Sequence, residues 1–304
     1  MATVIQRLVE FATVHPNDRI ARQIERAGQP EPANTDLGRP KKLGLPPLSE
    51  LGTDLLGATR LARTIVVVRP FALTALYAFL FLQGWWPVAI LLTPYIYATA
   101  GAAVHDLVHK TLGFADRWHG IILSMVGLLV LESGHTLRES HQVHHRKLHT
   151  AIDPEGYVDR YGDFRTLGEG PLYKHYLACW AMRNRPNSRA WVAFEALGAQ
   201  SLIISAVVLG WKIPVFGVYI GLIVLGSWLF PYVGVKLVHS DPGENVLEGT
   251  TTLRGSLVSW LGCGLTFHLE HHLYPRVPGH KLRHLAKRLD GRLAELGVEP
   301  TQLV

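Results

Sequence analysis

The sequence predicts an all-α integral-membrane protein, with four transmembrane helices in two hairpins and a histidine-rich di-metal site on the cytosolic side. Three observations carry this. Four apolar runs of membrane-spanning length fall into two closely spaced pairs. Of the 30 Lys and Arg residues, all but Lys212 lie on one side of those runs. Three histidine clusters with helical spacing lie on that same side.

The runs are Ile65–Gln83, Pro87–Val104, Trp191–Leu209 and Ile213–Val235. Each has the length that crosses roughly 30 Å of hydrocarbon. Gly84–Trp86 joins the first pair and Gly210–Lys212 the second, so each pair must turn back in a tight hairpin. Trp85, Trp86 and Trp211 sit at these turns, where amphipathic rings suit the interface. Arg69 and Glu195 lie near the ends of their runs, and the arginine stem is long enough to snorkel. Ile121–Leu131 is apolar but too short to span, and reads as a re-entrant or buried helix. Positive residues mark the cytoplasmic face. The tail, the central region 105–190, the last region 236–304 and both termini are therefore expected there.

The segment 1–64 carries no apolar core segment and reads as a cytosolic tail without a signal peptide, ahead of a membrane domain over 65–304. Val4–Val14 has the pattern of a short amphipathic helix. Pro and Gly within Gln29–Pro47 argue against a helix there. The mean hydropathy is +0.16, and only 18% of residues are charged. A pI near 9.4 raises the question of nucleic acid, but no basic run with interleaved aromatics occurs. Cys179 and Cys263 have no metal-type or paired spacing, which fits a reducing compartment.

The histidines are the distinctive feature: 16 in all, and clustered. They form His105-Asp-Leu-Val-His109, His141-Gln-Val-His144-His145 and His268-Leu-Glu-His271-His272. Residues three or four apart on a helix project from one face, so HxxxH aims two imidazoles one way and HxxHH aims three. Neutral imidazole binds Fe, Zn, Cu and Ni. Eight such ligands exceed one tetrahedral site and suit two metals sharing a cavity. Two HxxHH motifs arise by chance on the order of once in a thousand chains of this composition.

Carboxylates near the clusters are candidates to orient the rings, because a metal-bound histidine commonly donates its other N–H to an acid. They are Asp106, Glu139, Asp153, Glu155 and Glu270. His149, one turn beyond the second cluster, is a further candidate. His119 and His135 read as ring supports or loop residues. His280 and His284 lie on a basic amphipathic helix and read as surface. Glu132-Ser-Gly-His135 has the Glu-x-x-His pattern of soluble carboxylate di-iron bundles, but that motif needs a second copy, which the chain lacks.

HDLVH, HQVHH and HLEHH resemble the three histidine boxes of the membrane fatty acid desaturase superfamily, which includes carotenoid hydroxylases and ketolases. The sequence HLEHHLYPRVPGHKLRHL is especially similar to the ending of acyl-lipid desaturases. The resemblance covers roughly residues 65–290. It implies a four-span bundle with a cytosolic helical cap holding two irons through His105, His109, His141, His144, His145, His268, His271 and His272. It also implies a ninth ligand after the last span, which falls on His239. Some members carry an Asn one turn earlier, where this chain has Val235.

The implied chemistry is O₂-dependent oxidation of a long-chain lipid, first of all fatty acyl desaturation. Carotenoid hydroxylation or ketolation and other lipid C–H hydroxylation are the alternatives. Neither a haem-binding HPGG nor a GxGxxG loop is present, so electrons must come from a separate donor of ferredoxin, rubredoxin or cytochrome b5 type. A membrane zinc hydrolase would need about three histidines on one ion. A metal transporter would place its ligands near the bilayer midplane.

Overall fold

The computed structural model describes residues 38–148, 150, 152–239 and 246–303. Val4–Val14, His15 and His149 lie outside them. Two short helices, α1 (Gly38–Lys42), which falls within Gln29–Pro47 against the expectation of no helix there, and α2 (Leu48–Leu51), lead into the long helices α3 (Arg60–Leu82) and α4 (Trp86–Val108). Next come α5 (Asp116–Leu129), α6 (Gly134–Lys147) and α7 (Asp163–Asn184), then the second long pair, α8 (Arg189–Leu209) and α9 (Pro214–Phe230). The remainder holds α10 (Val246–Gly249), strand β1 (Leu253–Arg254), α11 (Ser256–Leu261), α12 (His268–Leu273), α13 (Leu282–Glu295) and strand β2 (Thr301–Gln302).

Among the described residues, four helical stretches are long and apolar enough to cross a membrane: Thr53–Leu82, Trp86–Val108, Pro186–Leu209 and Pro214–Val238. They coincide with the four runs read from the sequence. Leu91, Leu197 and Val207 on them are 78%, 69% and 78% exposed, which in water would be costly and in lipid is not. The first helix begins earlier than its apolar run because Thr59 caps it, its side chain accepting from the Ala62 N–H at 3.1 Å. The second continues past its apolar run to Val108 and so carries His105 on its last turn. The last ends in a π turn, Pro231–Val235, followed by the 3-10 turn Lys236–Val238.

Among the described residues two large cores, with a smaller cluster of Val158, Tyr173, Leu177 and Val235, hold the chain together. In the first, α4 supplies Ala89, Ile96, Ala100, Ala103, Val104 and Leu107, packed with Leu123 and Val126 of α5 and Ile220 and Ile223 of α9. The alanines let neighbouring helices approach closely. In the second, Leu285, Leu289 and Leu293 of α13 meet Leu269 and Leu273 of α12. Leu45, Leu48, Leu51 and Leu55 complete it. Part of the segment read as a tail is therefore packed: four leucines too sparse to register as a run are each worth about 2 kcal/mol once covered.

The apolar stretch Ile121–Leu131 lies mostly on α5, which meets α6 at a bend of 100°. Leu131 at the bend has φ +54°. β1 and β2 pair in parallel, Leu253 with Thr301 and Arg254 with Gln302, a small departure from an all-helical chain.

Candidate metal centre

The three boxes and His239 converge. Their ring nitrogens form two adjacent groups, in each of which the ligand atoms lie within 4.8 Å of one another. One group holds His105, His109, His141, His145 and His271. The other holds His144, His239, His268 and His272.

Helix geometry explains the division. His141 and His145 are four apart on α6 and face one group, whereas His144 faces the other. On α12 the sense is reversed: His268 and His272 serve the four-membered group and His271 the five-membered one. Each HxxHH box thus feeds both groups. The HxxxH pair at the end of α4 feeds one, with His109 as that helix's C-cap. His239 follows the π and 3-10 turns, and its Nδ1–H donates to the Val235 carbonyl at 2.8 Å. Single-turn π bulges are frequent at functional sites. This one puts the ring among the box-three histidines.

The nitrogens crowd one another. Nε2 of His239 lies 2.8 Å from that of His268, 3.2 Å from that of His144 and 3.2 Å from that of His272. Nε2 of His145 lies 2.9 Å from that of His271 and 3.1 Å from that of His141. The Nε2 atoms of His105 and His109 are buried with no partner. Burial, and then the neighbouring imidazoles, push His145, His268, His271 and His272 well below the ordinary imidazole range. Neutral rings whose lone pairs point at one another in a buried space are costly unless cations sit among them. The donor set, all imidazole and nearly geometrically paired, fits two transition-metal ions.

Two of the candidate acids stand behind the rings. The Nδ1–H of His141 donates to Oε2 of Glu155 at 2.8 Å. The Nδ1–H of His144 donates to Oδ2 of Asp153 at 2.8 Å. Each bond fixes a tautomer that leaves Nε2 free to ligate. Burial alone would raise the Asp153 carboxyl, but the charge and hydrogen bond of His144 outweigh it and hold the group below its usual value.

The other three acids are bonded elsewhere. Asp106 accepts from the Gly279 N–H at 2.8 Å and from Thr111 at 3.2 Å, pinning the segment after box three to α4. Glu139 accepts from Ser188 at 2.7 Å and pairs with Arg138 and Arg185, tying α6 to the start of α8. Glu270, fully buried, pairs with Arg254 at 2.6 Å, and Arg254 also reaches Asp290 on α13. His119, His135, His175, His280 and His284 belong to neither group.

Two polar networks escaped the sequence reading. Glu195, on α8 and fully buried, accepts from Ser124 at 2.5 Å, Ser133 at 2.7 Å and the His135 ring at 2.7 Å. His135 stacks on Trp191 at 4.6 Å. These bonds clamp both arms of the bent pair to α8. A lone acid inside an apolar run was the available signal. Lys174 pairs with Glu132 at 2.7 Å and donates to Ser227 at 3.0 Å. Its ammonium also faces the Val130 and Leu131 carbonyls that end α5, each at 3.4 Å, a favourable place for a cation.

Together these features define a helical membrane protein with a buried, two-part histidine cluster braced by carboxylates. The fatty acid desaturase family profile matches residues 83–303, and the chain belongs to that family. Membership makes it a lipid-modifying oxidoreductase of the desaturase and hydroxylase superfamily. Neither the curated proteins nor the solved structures compared with it yield a match.

Proposed function

We propose that the protein is a di-iron enzyme that uses O₂ to oxidise a long-chain lipid, with fatty acyl desaturation as its reaction. The observation that supports this most is the pair of histidine groups of five and four, drawn from separated segments of a family member. His105, His109, His141, His145 and His271 hold one ion, and His144, His239, His268 and His272 the other. Bound iron supplies the activation of O₂ and the removal of hydrogen from an unactivated C–H bond.

The chain's own contribution is positional. Glu155 and Asp153 keep two ligand rings in the ligating tautomer. Asp106 holds Gly279 against α4, so box one and box three stay in register. Seven of the nine histidines are buried, so the site is closed to bulk water around the reacting carbon, and no side-chain acid or base is needed. The membrane unit covers 65–304, with the histidines and both termini in the cytosol. A separate electron-donor protein docks there by charge complementarity, so turnover should fall as ionic strength rises.

The decisive experiment joins metal analysis to product analysis. The purified protein should contain iron, and a host expressing it with labelled fatty acids or β-carotene is examined by mass spectrometry. A loss of about two mass units in an acyl chain is the expected result, whereas a gain of about sixteen would make it a hydroxylase. Zinc alone, without lipid oxidation, would defeat the proposal.

A further inference from the structure

The site's histidines are not equally enclosed. Seven of the nine are buried, whereas His105 and His109 are partly accessible. Both stand on one face of α4. At 100° per residue, Leu91, Pro94, Ala98 and Gly101 share that face with them. Accessibility follows the face: Leu91 and Pro94 are exposed, and Ala98, Gly101 and His105 are intermediate. Every remaining position over 99–108 of the helix is buried.

Gly101 lies one turn below His105. A Cβ placed on it would meet no atom within 4 Å. Other helical glycines differ: a Cβ on Gly127 would lie 2.7 Å from the Glu132 carbonyl and one on Gly134 2.6 Å from Leu123. Those glycines permit close packing, whereas Gly101 borders open space. One turn on from that open position stands His105, one of the two ligands that are not buried.

We infer that the substrate is a lipid dissolved in the bilayer, whose hydrocarbon chain reaches the histidines sideways along the Leu91–Pro94–Ala98–Gly101 face of α4, with Gly101 as the passage beside His105. The inference rests on the proposed lipid oxidation. From Pro94 to His105 is about 16 Å at the helical rise, all of it along a stretch apolar enough to span a membrane. A chain on this path never leaves hydrocarbon until it meets the imidazoles. A water-borne acyl thioester would have to approach through the polar side instead. With no atom within 4 Å of where its Cβ would stand, Gly101 leaves the helix surface open one turn from the first ligand, so a larger side chain there would narrow the path.

The test uses the full-length, metal-loaded protein in phospholipid vesicles. The probe is a phosphatidylcholine carrying a diazirine in mid-chain; the rival probe is the same acyl group as a soluble coenzyme A thioester. After illumination, peptides are mapped by mass spectrometry, and oxidation of labelled acyl chains is measured in parallel. Wild-type protein should crosslink to phosphatidylcholine within 94–105. Gly101→Leu should lose that crosslink and at least on the order of tenfold in kcat/KM, with metal content and Tm unchanged. Gly101→Ala, a better helix former with room for its methyl, should fold normally and fall between the two. Labelling by the thioester but not the phospholipid would overturn the inference, as would wild-type crosslinking and turnover in Gly101→Leu. Crosslinking in a wild-type protein that oxidises no lipid would support the passage and sink the proposed reaction instead.

Discussion

Oδ2 of Asp153 lies 2.8 Å from Nδ1 of His144, and two residues on, Oε2 of Glu155 lies at the same distance from Nδ1 of His141. One short Asp-Pro-Glu segment therefore braces a ligand of each metal group. Asp153→Asn and Glu155→Gln keep the shape but remove the charge. Each is expected to lower metal affinity or activity by about 10- to 100-fold. Iron content after dialysis against a graded chelator measures it, and unchanged retention in both variants would contradict the bracing role.

Among the described residues, His239 is one of four ligating nitrogens in its group, whereas His109 is one of five. Replacing either with Ala should therefore have unequal effects. His239→Ala is expected to shed the ion of the smaller group, while His109→Ala retains both more tightly. Metal content per chain and Mössbauer spectra of iron-loaded protein distinguish the outcomes; equal losses would count against the division.

Lys174 and Glu132 make an ion pair in which both side chains are mostly buried. Burial alone would lower the lysine, but the charge of Glu132, then Tyr97, raises it overall. A folded-state value above the unfolded one means the pair's contribution is fully present below about pH 10 and is lost only as the pH climbs through the raised value. Lys174→Met should cost about 3 kcal/mol by leaving Glu132 unpaired. It should also flatten the alkaline fall of Tm in detergent. A wild-type Tm that declines between neutral pH and about pH 9 would remove this explanation.

Glu195→Ala takes the common acceptor from Ser124, Ser133 and His135. With all four groups buried or nearly so, a loss of about 3 kcal/mol is expected, while Glu195→Gln should lose less because it still accepts. Thermal unfolding of the two variants, together with their metal content, checks whether the bend at Leu131 depends on this clamp.

Much of this architecture was legible because it is local. Four apolar runs with three-residue connections within each pair fix where the long helices lie. HxxHH spacing aims three rings to one side whatever the rest of the chain does. The 2:1 division of each HxxHH box between two groups was not legible, since it depends on where α4 and His239 arrive in space. Nor could spacing tell Asp153 and Glu155, which reach the rings, from Asp106, Glu139 and Glu270, which bond elsewhere. Leu45–Leu55 read as polar tail because its leucines become a core only when α13 covers them. Ile121–Leu131 announced a short apolar helix, but not that both arms of its bend are tied to Glu195, which lies 71 residues beyond Ser124.

The carboxyl-terminal strand has a mechanical side. Thr301 donates to the Thr252 carbonyl at 3.0 Å and Leu303 to that of Arg254 at 2.6 Å. The neighbouring Thr251 donates to the Val238 carbonyl at 3.0 Å and accepts from the Leu269 N–H at 3.2 Å. A strap of backbone bonds thus runs from the far end of the sequence to the turn before His239 and to the first turn of α12. Reporter proteins and affinity handles fused at that end would tug on this strap, so their linkers need slack if the purified material is to keep its metals.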